Sequence, residues 1–224
     1  MNDEKTEASV SFVDLDLAPE VLHAVRDAGY THPTPIQQQA IPVALAGRDL
    51  IGLAQTGTGK TAGFTLPIVQ NLITTPLAGA DGEPLHRPRV LILTPTRELA
   101  AQVEASFRKY GKYTSLRVVP IYGGVGIEPQ SKALRRGVDV VVATPGRLLD
   151  HMERGNVGFD DLEVLVLDDD MARIRYFAEY DLRDETPIDL HSILRHHVVE
   201  TAPDSYGWHI HYNEAAVFRG LPIV

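Results

Sequence analysis

A glycine-rich stretch that ends in Lys60 and Thr61 is the part of this sequence best suited to chemistry. It reads Ala-Gln-Thr-Gly-Thr-Gly-Lys-Thr over residues 54–61 and follows the apolar run Asp49–Leu53. Glycines let backbone N–H groups turn toward phosphate oxygens, and a helix that starts at Lys60 adds the partial positive charge of its N-terminus. Lys60 can reach the outer phosphates of a nucleotide, and the Thr61 hydroxyl can ligate Mg²⁺. The pattern predicts a phosphate-binding loop in a strand–loop–helix context, whose nucleotide-binding residues are Thr56, Gly57, Thr58, Gly59, Lys60 and Thr61.

The acidic end of the apolar run Val164–Leu167 is the second candidate for this chemistry. Asp168, Asp169 and Asp170 follow the run directly. A magnesium ion held by one hydroxyl needs a carboxylate from a neighbouring strand, and parallel strands end at one edge of a sheet. We therefore predict that Asp168 binds Mg²⁺ together with Thr61, and that Asp169 orients or activates the attacking water. Lys60, Asp168 and Asp169 are the predicted catalytic residues; an acidic turn after a strand is the alternative.

Strand-like and helix-like segments alternate up to about residue 170, which predicts an α/β domain with a doubly wound parallel sheet. Several of the strand candidates are almost wholly apolar, as expected for parallel strands that are buried on both faces. The predicted strands are Asp49–Leu53, Val90–Leu93, Arg117–Ile121, Asp139–Val142 and Val164–Leu167. The predicted helices are Pro19–Ala28, Ile36–Leu45, Lys60–Leu72, Arg97–Tyr110, Glu128–Arg135 and Arg147–Glu153, with a surface loop over Thr74–Arg89.

The composition excludes several classes of protein. The 224 residues include 21 Lys and Arg against 30 Asp and Glu, a net charge of −9, so any polyanion must bind at a local site. The sequence has no cysteine, which excludes disulfides, thiolate zinc sites and cysteine nucleophiles. No apolar run is long enough to span a membrane, and the first residues have no signal-peptide core. We expect a cytoplasmic protein.

Residues 12–168 resemble the first RecA-like domain of the DEAD-box ATP-dependent RNA helicases, because several motifs follow one another in the family's order. They are Phe12, the Gly29-Tyr-Thr-His-Pro-Thr-Pro-Ile-Gln37 segment, the phosphate-binding loop, Pro95-Thr-Arg-Glu-Leu-Ala100, Gly123-Gly124 and Thr144-Pro-Gly-Arg147. The resemblance implies ATP and Mg²⁺ as cofactors, and ATP hydrolysis coupled to RNA remodelling. It also implies that Phe12 packs against the adenine. The Gln37 amide offers the donor and the acceptor that adenine's amine and ring nitrogen need.

The resemblance further implies an RNA-binding surface that contacts the backbone of single-stranded or structured RNA without reading its sequence. Helix-start N–H groups, threonine hydroxyls and arginines are good phosphate ligands. Taken alone, each motif could equally be a helix cap. The implied RNA-binding residues are Pro95, Thr96, Arg97, Gly123, Gly124, Thr144, Pro145, Gly146 and Arg147.

The sequence departs from the family where the Asp-Glu-Ala-Asp motif should lie. It has Asp168-Asp-Asp-Met171 there, so the first Asp is present, the Glu is an Asp and the last Asp is a Met. An Asp carboxylate is one methylene shorter than a Glu carboxylate, and a misplacement of about 1 Å can cost roughly 100-fold in rate. We therefore expect a domain that binds nucleotide more readily than it hydrolyses it.

The domain organisation predicted from these observations is a flexible tail over residues 1–11, a RecA-like ATP-binding domain over 12–170 and an unassigned segment over 171–224. In that segment the patterns over 173–182 and 206–212 are strand-like, and the pattern over 188–199 is helical. It could be a small β-α-β unit that covers the exposed sheet edge, a foreign segment, or a surface for a protein partner. Its histidines, including His209 and His211, are better read as surface residues than as a metal site. A nucleotide- or RNA-binding scaffold and a recombined gene product without turnover remain alternatives to the helicase-type ATPase.

Overall fold

The computed structural model describes residues 10–53, 57–168 and 207–212, and within them it describes only the backbone of Ile51, Leu53, Asp168 and residues 207–212. The predicted tail up to residue 9, Thr56, Asp169, and the strand-like and helical patterns between 173 and 199 lie outside this description. None of the described helices is long and apolar enough to cross a membrane.

Helices and strands alternate along the chain as the sequence predicts. A short 3-10 helix, Phe12–Leu15, precedes the helices α1 (Pro19–Asp27), α2 (Pro35–Leu45), α3 (Lys60–Thr74), α4 (Arg97–Tyr110), α5 (Ile127–Arg135) and α6 (Pro145–Glu153). The strands are β1 (Leu50–Leu53), β2 (Val90–Leu93), β3 (Val118–Ile121), β4 (Val140–Ala143), β5 (Val164–Asp168) and β6 (Gly207–Tyr212). The boundaries agree with the prediction to within two residues.

The strands form one sheet in the order β1-β6-β5-β2-β4-β3. Strands β5, β2, β4 and β3 are paired in parallel, and β6 is antiparallel to both β1 and β5. The strand predicted over residues 206–212 is therefore present, but it lies inside the sheet and not over an exposed edge. The parallel α/β architecture is confirmed.

Two cores, one on each face of the sheet, explain why the central strands are continuously apolar. Val90, Ile92, Val164 and Val166 pack with buried residues of α1–α4, whereas the alternate residues Leu91, Leu93, Leu165 and Leu167 pack with α5 and α6. Successive strand residues point to opposite faces, so a strand covered on both faces has no polar position. This two-sided burial fixes the register of the strands and thus the position of their carboxyl ends.

The predicted loop over Thr74–Arg89 is irregular, with an isolated bridge between Ala78 and Pro84, but its last residue is buried. The guanidinium of Arg89 donates to both carboxylate oxygens of Glu163, at 2.6 and 2.7 Å, and to the Thr75 hydroxyl at 2.9 Å. The Arg89 side chain is 4% exposed and the Glu163 side chain 42% exposed. The pair closes the end of the sheet opposite the phosphate-binding loop.

Candidate functional site

The carboxyl ends of the parallel strands bring most of the predicted site residues to one edge of the sheet. The phosphate-binding loop follows β1, and Asp168 is the last residue of β5. The other three strands lead into the predicted RNA-contact segments: Pro95–Arg97 after β2, Thr144–Arg147 after β4 and Gly123–Gly124 after β3. Ligands of open parallel sheets bind at this edge. The order of the strands places the residues predicted to bind nucleotide at one end of the edge and those predicted to bind RNA at the other.

A cavity of about 460 Å³ opens beside the phosphate-binding loop. Gly57, Gly59 and Thr61 line one part of it, and the segment that contains Tyr30 and Gln37 lines another. Small-molecule sites commonly have volumes of about 300–1,000 Å³. The cavity thus joins the residues predicted to bind phosphate to the residues predicted to bind the base.

Gln37 connects these two parts through its side-chain amide. Its Oε1 accepts from the backbone N–H of Thr34 at 3.0 Å, and its Nε2 donates to the carbonyl of Gly59 at 2.9 Å. The side chain is almost fully buried, and each of its polar atoms keeps a second hydrogen-bonding position for a base. The structure thus adds a role to the one predicted, since Gln37 holds the phosphate-binding loop.

Gly59 is required by this contact. Its φ is +87°, and a Cβ built on it would lie 2.3 Å from Gln37 Nε2. Any other residue would be strained at that φ and would displace the Gln37 amide. Gly57 also has a positive φ, +81°, but a Cβ there meets no atom of the described residues within 4 Å.

Thr34 Oγ1 is buried in the cavity wall next to Gln37. Thr34 and Gln37 form the capping box of α2, in which the Thr34 side chain faces the backbone N–H of Gln37. The spare hydrogen-bonding positions of Gln37 fit a polar, flat group such as a purine.

Phe12 and Tyr30 are the aromatic side chains at this end of the cavity, with Tyr110 beyond them. Phe12 is 5% exposed and belongs to the core, whereas Tyr30 is 47% exposed. The ammonium of Lys109 lies 5.3 Å from the centre of the Tyr30 ring and 4.6 Å from that of Tyr110. Burial raises the pKa of Tyr110. Both Phe12 and Tyr30 line the cavity, and Tyr30 is much the more exposed of the two.

The residues predicted to bind the metal are Thr61 and Asp168, and the structure describes only the backbone of Asp168. Lys60 and Thr61 are the first two residues of α3, so the helix N-terminus faces the loop. Asp168 ends β5, which is separated from β1 by the single strand β6. A hydroxyl and a carboxylate are both hard oxygen ligands of the kind Mg²⁺ takes.

Arg97 and Gly124 join two of the predicted RNA-contact segments. Thr96 caps α4 through a hydrogen bond from Leu99 N to its hydroxyl at 3.2 Å, and the exposed Arg97 pairs with Glu98 at 2.5 Å. This hydrogen bond raises the pKa of Arg97 and lowers that of Glu98. A Cβ at Gly124, whose φ is +81°, would lie 3.3 Å from Arg97 Nη1. Because Gly124 has no side chain, the guanidinium of Arg97 can lie close against the loop that follows β3.

Arg147 has an internal role in addition to the predicted one. Only 14% of its side chain is exposed. Its Nη1 donates to the Val125 carbonyl at 2.9 Å and to Gln130 Oε1 at 3.3 Å, and its Nε lies 3.6 Å from Asp150. Arg147 thus fixes the loop that carries Gly123 and Gly124 against the start of α6.

Gln130 and His151 complete this network under the loop. Gln130 Nε2 donates to the Tyr122 carbonyl at 3.0 Å, and Gln130 Oε1 lies 3.0 Å from His151 Nε2. Because Arg147 donates to the same oxygen, Gln130 joins the loops after β3 and β4. Burial lowers the pKa of His151, with the nearby Arg147 acting in the same direction.

Sequence reasoning missed five of these residues. Tyr30 and Thr34 lie within the segment that ends at Gln37, and an aromatic residue in that polar segment was a usable signal. Lys109, Gln130 and His151 carry no local signal, because their roles arise only when helices pack beside the loops.

Comparison with known proteins agrees with this arrangement. Residues 34–172 match the family model described as DEAD/DEAH box helicase. The chain is 44% identical over 184 residues to the ATP-dependent RNA helicase DeaD of Mycobacterium tuberculosis (strain ATCC 25618 / H37Rv), covering 80% of this chain and 31% of that protein. It is 46% identical over 176 residues to the protein of the same name from Escherichia coli (strain K12), covering 77% and 27%. The chain thus spans less than a third of the length of these relatives.

Proposed function

The chain belongs to the DEAD/DEAH box helicase family, and from this premise we propose that it binds ATP with Mg²⁺ at one end of its sheet edge and RNA at the other. The observation that carries the proposal is the cavity that links the phosphate-binding loop to Gln37 and Tyr30. The relatives are named as ATP-dependent RNA helicases, so ATP hydrolysis coupled to work on RNA is the activity proposed for the larger protein.

The N-terminus of α3 and the Lys60 ammonium bind the β- and γ-phosphates in this proposal. The Thr61 hydroxyl and the Asp168 carboxylate would hold Mg²⁺, which supplies charge to the phosphoryl oxygens when it is bound. Asp169 orients the attacking water. Its shorter side chain, with Met171 in place of the family's last acid, makes turnover slow compared with nucleotide binding.

The base lies against Tyr30 and is read by the free positions of Gln37. Because Gln37 also holds the Gly59 carbonyl, the occupied base site and the shape of the phosphate-binding loop are connected through one side chain. Phe12, which also lines the cavity, packs against the adenine in this proposal.

RNA binds through its backbone at Pro95–Arg97, Gly123–Gly124 and Thr144–Arg147. Thr144 makes no side-chain cap on α6 within the described residues, so the N–H groups of the first turn, at Gly146 and Arg147, are free for a phosphate. Such contacts do not read bases, and both single-stranded and structured RNA are substrates. A cytoplasmic location accompanies this proposal.

Isothermal titration of ATP and ADP, with Mg²⁺ present and with EDTA, tests the nucleotide half of the proposal. We expect a measurable heat for the wild-type chain and none for Lys60→Ala. Lys132→Ala is the matched control, because Lys132 is an exposed lysine of α5. Equal heats for the wild type and Lys60→Ala would refute the proposal, as would the absence of heat for the wild type.

A further inference from the structure

Strand β6 is the element that attaches the nucleotide end of the sheet to the rest. Leu50–Leu53 of β1 pairs with Ile210–Gly207, and Val164–Asp168 of β5 pairs with Tyr212–Trp208. Among the described strands β1 has no other neighbour. The phosphate-binding loop and Asp168 are therefore held in one sheet only through β6.

The space between β1 and β5 is one strand wide. Neighbouring strands lie about 4.8 Å apart, so β1 and β5 are about 9.6 Å apart and cannot hydrogen-bond to each other directly. Without an occupant, the facing N–H and C=O groups of both strands would be buried and unpaired. The space thus has the dimensions and the hydrogen-bonding groups of a site for one extended peptide.

The occupant comes from outside the part of the chain that matches the family. That match ends at residue 172, and β6 begins at Gly207. Strands β2, β3, β4 and β5 pair in parallel and belong to the matched region. Strand β6, by contrast, is antiparallel to its neighbours. Its direction, as well as its position in the sequence, separates it from the helicase region.

Residues 207–212 of the same chain fill the gap between β1 and β5, and we propose that nucleotide binding at the phosphate-binding loop depends on this insertion. Trp208 is the register partner of Asp168, so the chain leaves β5 and enters β6 at the same edge. An antiparallel insertion from that point needs no crossover connection, which favours a segment of the same molecule over a second copy. The dependence on nucleotide rests on the function proposed above; the insertion itself does not.

Disulfide trapping tests the insertion, and the absence of native cysteine makes each result unambiguous. His209 is the register partner of Ile51 on one side and of Leu167 on the other. Directly opposed residues have Cβ atoms close enough for a disulfide, whereas residues one position out of register point to the other face. We expect Ile51→Cys/His209→Cys and Leu167→Cys/His209→Cys to form intrachain disulfides on mild oxidation.

The matched controls are Ile51→Cys/Ile210→Cys and Leu167→Cys/Ile210→Cys. Their cysteines are out of register and should stay reduced. Non-reducing gels and peptide mass spectrometry read the result. Disulfide-linked dimers would assign the site to a second copy and overturn the proposal, and so would equal yields for in-register and out-of-register pairs. Lys60→Ala placed in the Ile51→Cys/His209→Cys chain should still crosslink, since the insertion does not need nucleotide.

A proline in β6 tests the dependence of nucleotide binding on the insertion. Ile210→Pro removes a ladder N–H and should speed amide exchange across Leu50–Leu53, while the β2–β4 amides stay protected. We expect ATP affinity to fall by about tenfold or more. Asp160→Pro, in the exposed turn before β5, is the control. It should change neither the amide exchange of Leu50–Leu53 nor the ATP affinity. Unchanged protection of β1 would refute the insertion; lost protection with unchanged ATP affinity would refute only the dependence.

Discussion

Replacing Gly59 by Ala tests whether the contact with Gln37 shapes the phosphate-binding loop. The φ of +87° costs an L-residue about 1–2 kcal/mol. The added Cβ, 2.3 Å from Gln37 Nε2, also displaces the amide. Its two hydrogen bonds, to Gly59 O and from Thr34 N, contribute about 0.5–1.5 kcal/mol each. The total is about 2–5 kcal/mol, or roughly 30- to 5,000-fold in affinity, because the loop must adopt this backbone to bind phosphate.

Gly57→Ala is the matched variant, because it has the same backbone strain without the clash. It should cost only about 1–2 kcal/mol, or roughly 5- to 30-fold. A double-mutant cycle then isolates the contact: in a Gln37→Ala background the clash is gone, and Gly59→Ala should cost no more than Gly57→Ala does. Isothermal titration of ATP against the wild type and these variants gives every free-energy difference in the cycle. Equal losses for the two glycine variants, with no coupling to Gln37, would refute the reasoning.

Three further predictions concern the scaffold and the RNA end. Urea unfolding should show Glu163→Leu to be more destabilising than Arg89→Met, because the first leaves a guanidinium buried without its partner and the second leaves a half-exposed carboxylate. His151 has a lowered pKa, so the unfolded chain binds a proton that the folded chain does not. The free energy of unfolding should fall as the pH drops below the ordinary histidine value of about 6.5, and His151→Asn should flatten that dependence. Gln130→Leu should weaken binding to single-stranded RNA in a fluorescence-anisotropy titration and leave ATP affinity unchanged, since it frees Arg147 and the loop after β3.

The central strands and most helices could be predicted because burial leaves a direct mark on the sequence. Val90–Leu93 has no polar residue since both of its faces are covered, and α4 begins where Thr96 can cap it. Helix α6 starts at Pro145, two residues before the predicted start. A Pro-Gly pair usually marks a turn, but proline is also well suited to the first helical position, and here the second effect prevailed.

The candidate site was less predictable where one residue has two roles. The types of Gln37 and Arg147 indicated contacts with a base and a phosphate, but not that each already holds a backbone carbonyl, of Gly59 and Val125 respectively. Those carbonyls belong to loops whose paths depend on how helices pack. The position of β6 was unpredictable for a similar reason. Alternating apolar and polar residues predict that a strand forms, but its pairing with β1 and β5 depends on the rest of the sheet.

The strand order also has a consequence for coupling between ATP and RNA. The residues proposed to bind nucleotide lie at the ends of β1 and β5, and those proposed to bind RNA follow β2, β4 and β3. The two groups meet where β5 pairs with β2. That junction is buried on both faces, and close-packed interiors do not deform continuously. Coupling between two ligands needs an element with two arrangements that both ligands bias, and the paired strands at this junction offer one arrangement.

We therefore expect ATP and RNA to bind this chain independently, although both are proposed to bind at the same edge. The affinity for a fluorescent single-stranded RNA, measured with and without saturating ATP and Mg²⁺, should change by less than about twofold, against the roughly 5- to 150-fold typical of allosteric pairs. Lys60→Ala provides the control for effects of ATP that do not pass through the site. A larger change in the wild type, absent from Lys60→Ala, would show that the sheet edge itself switches.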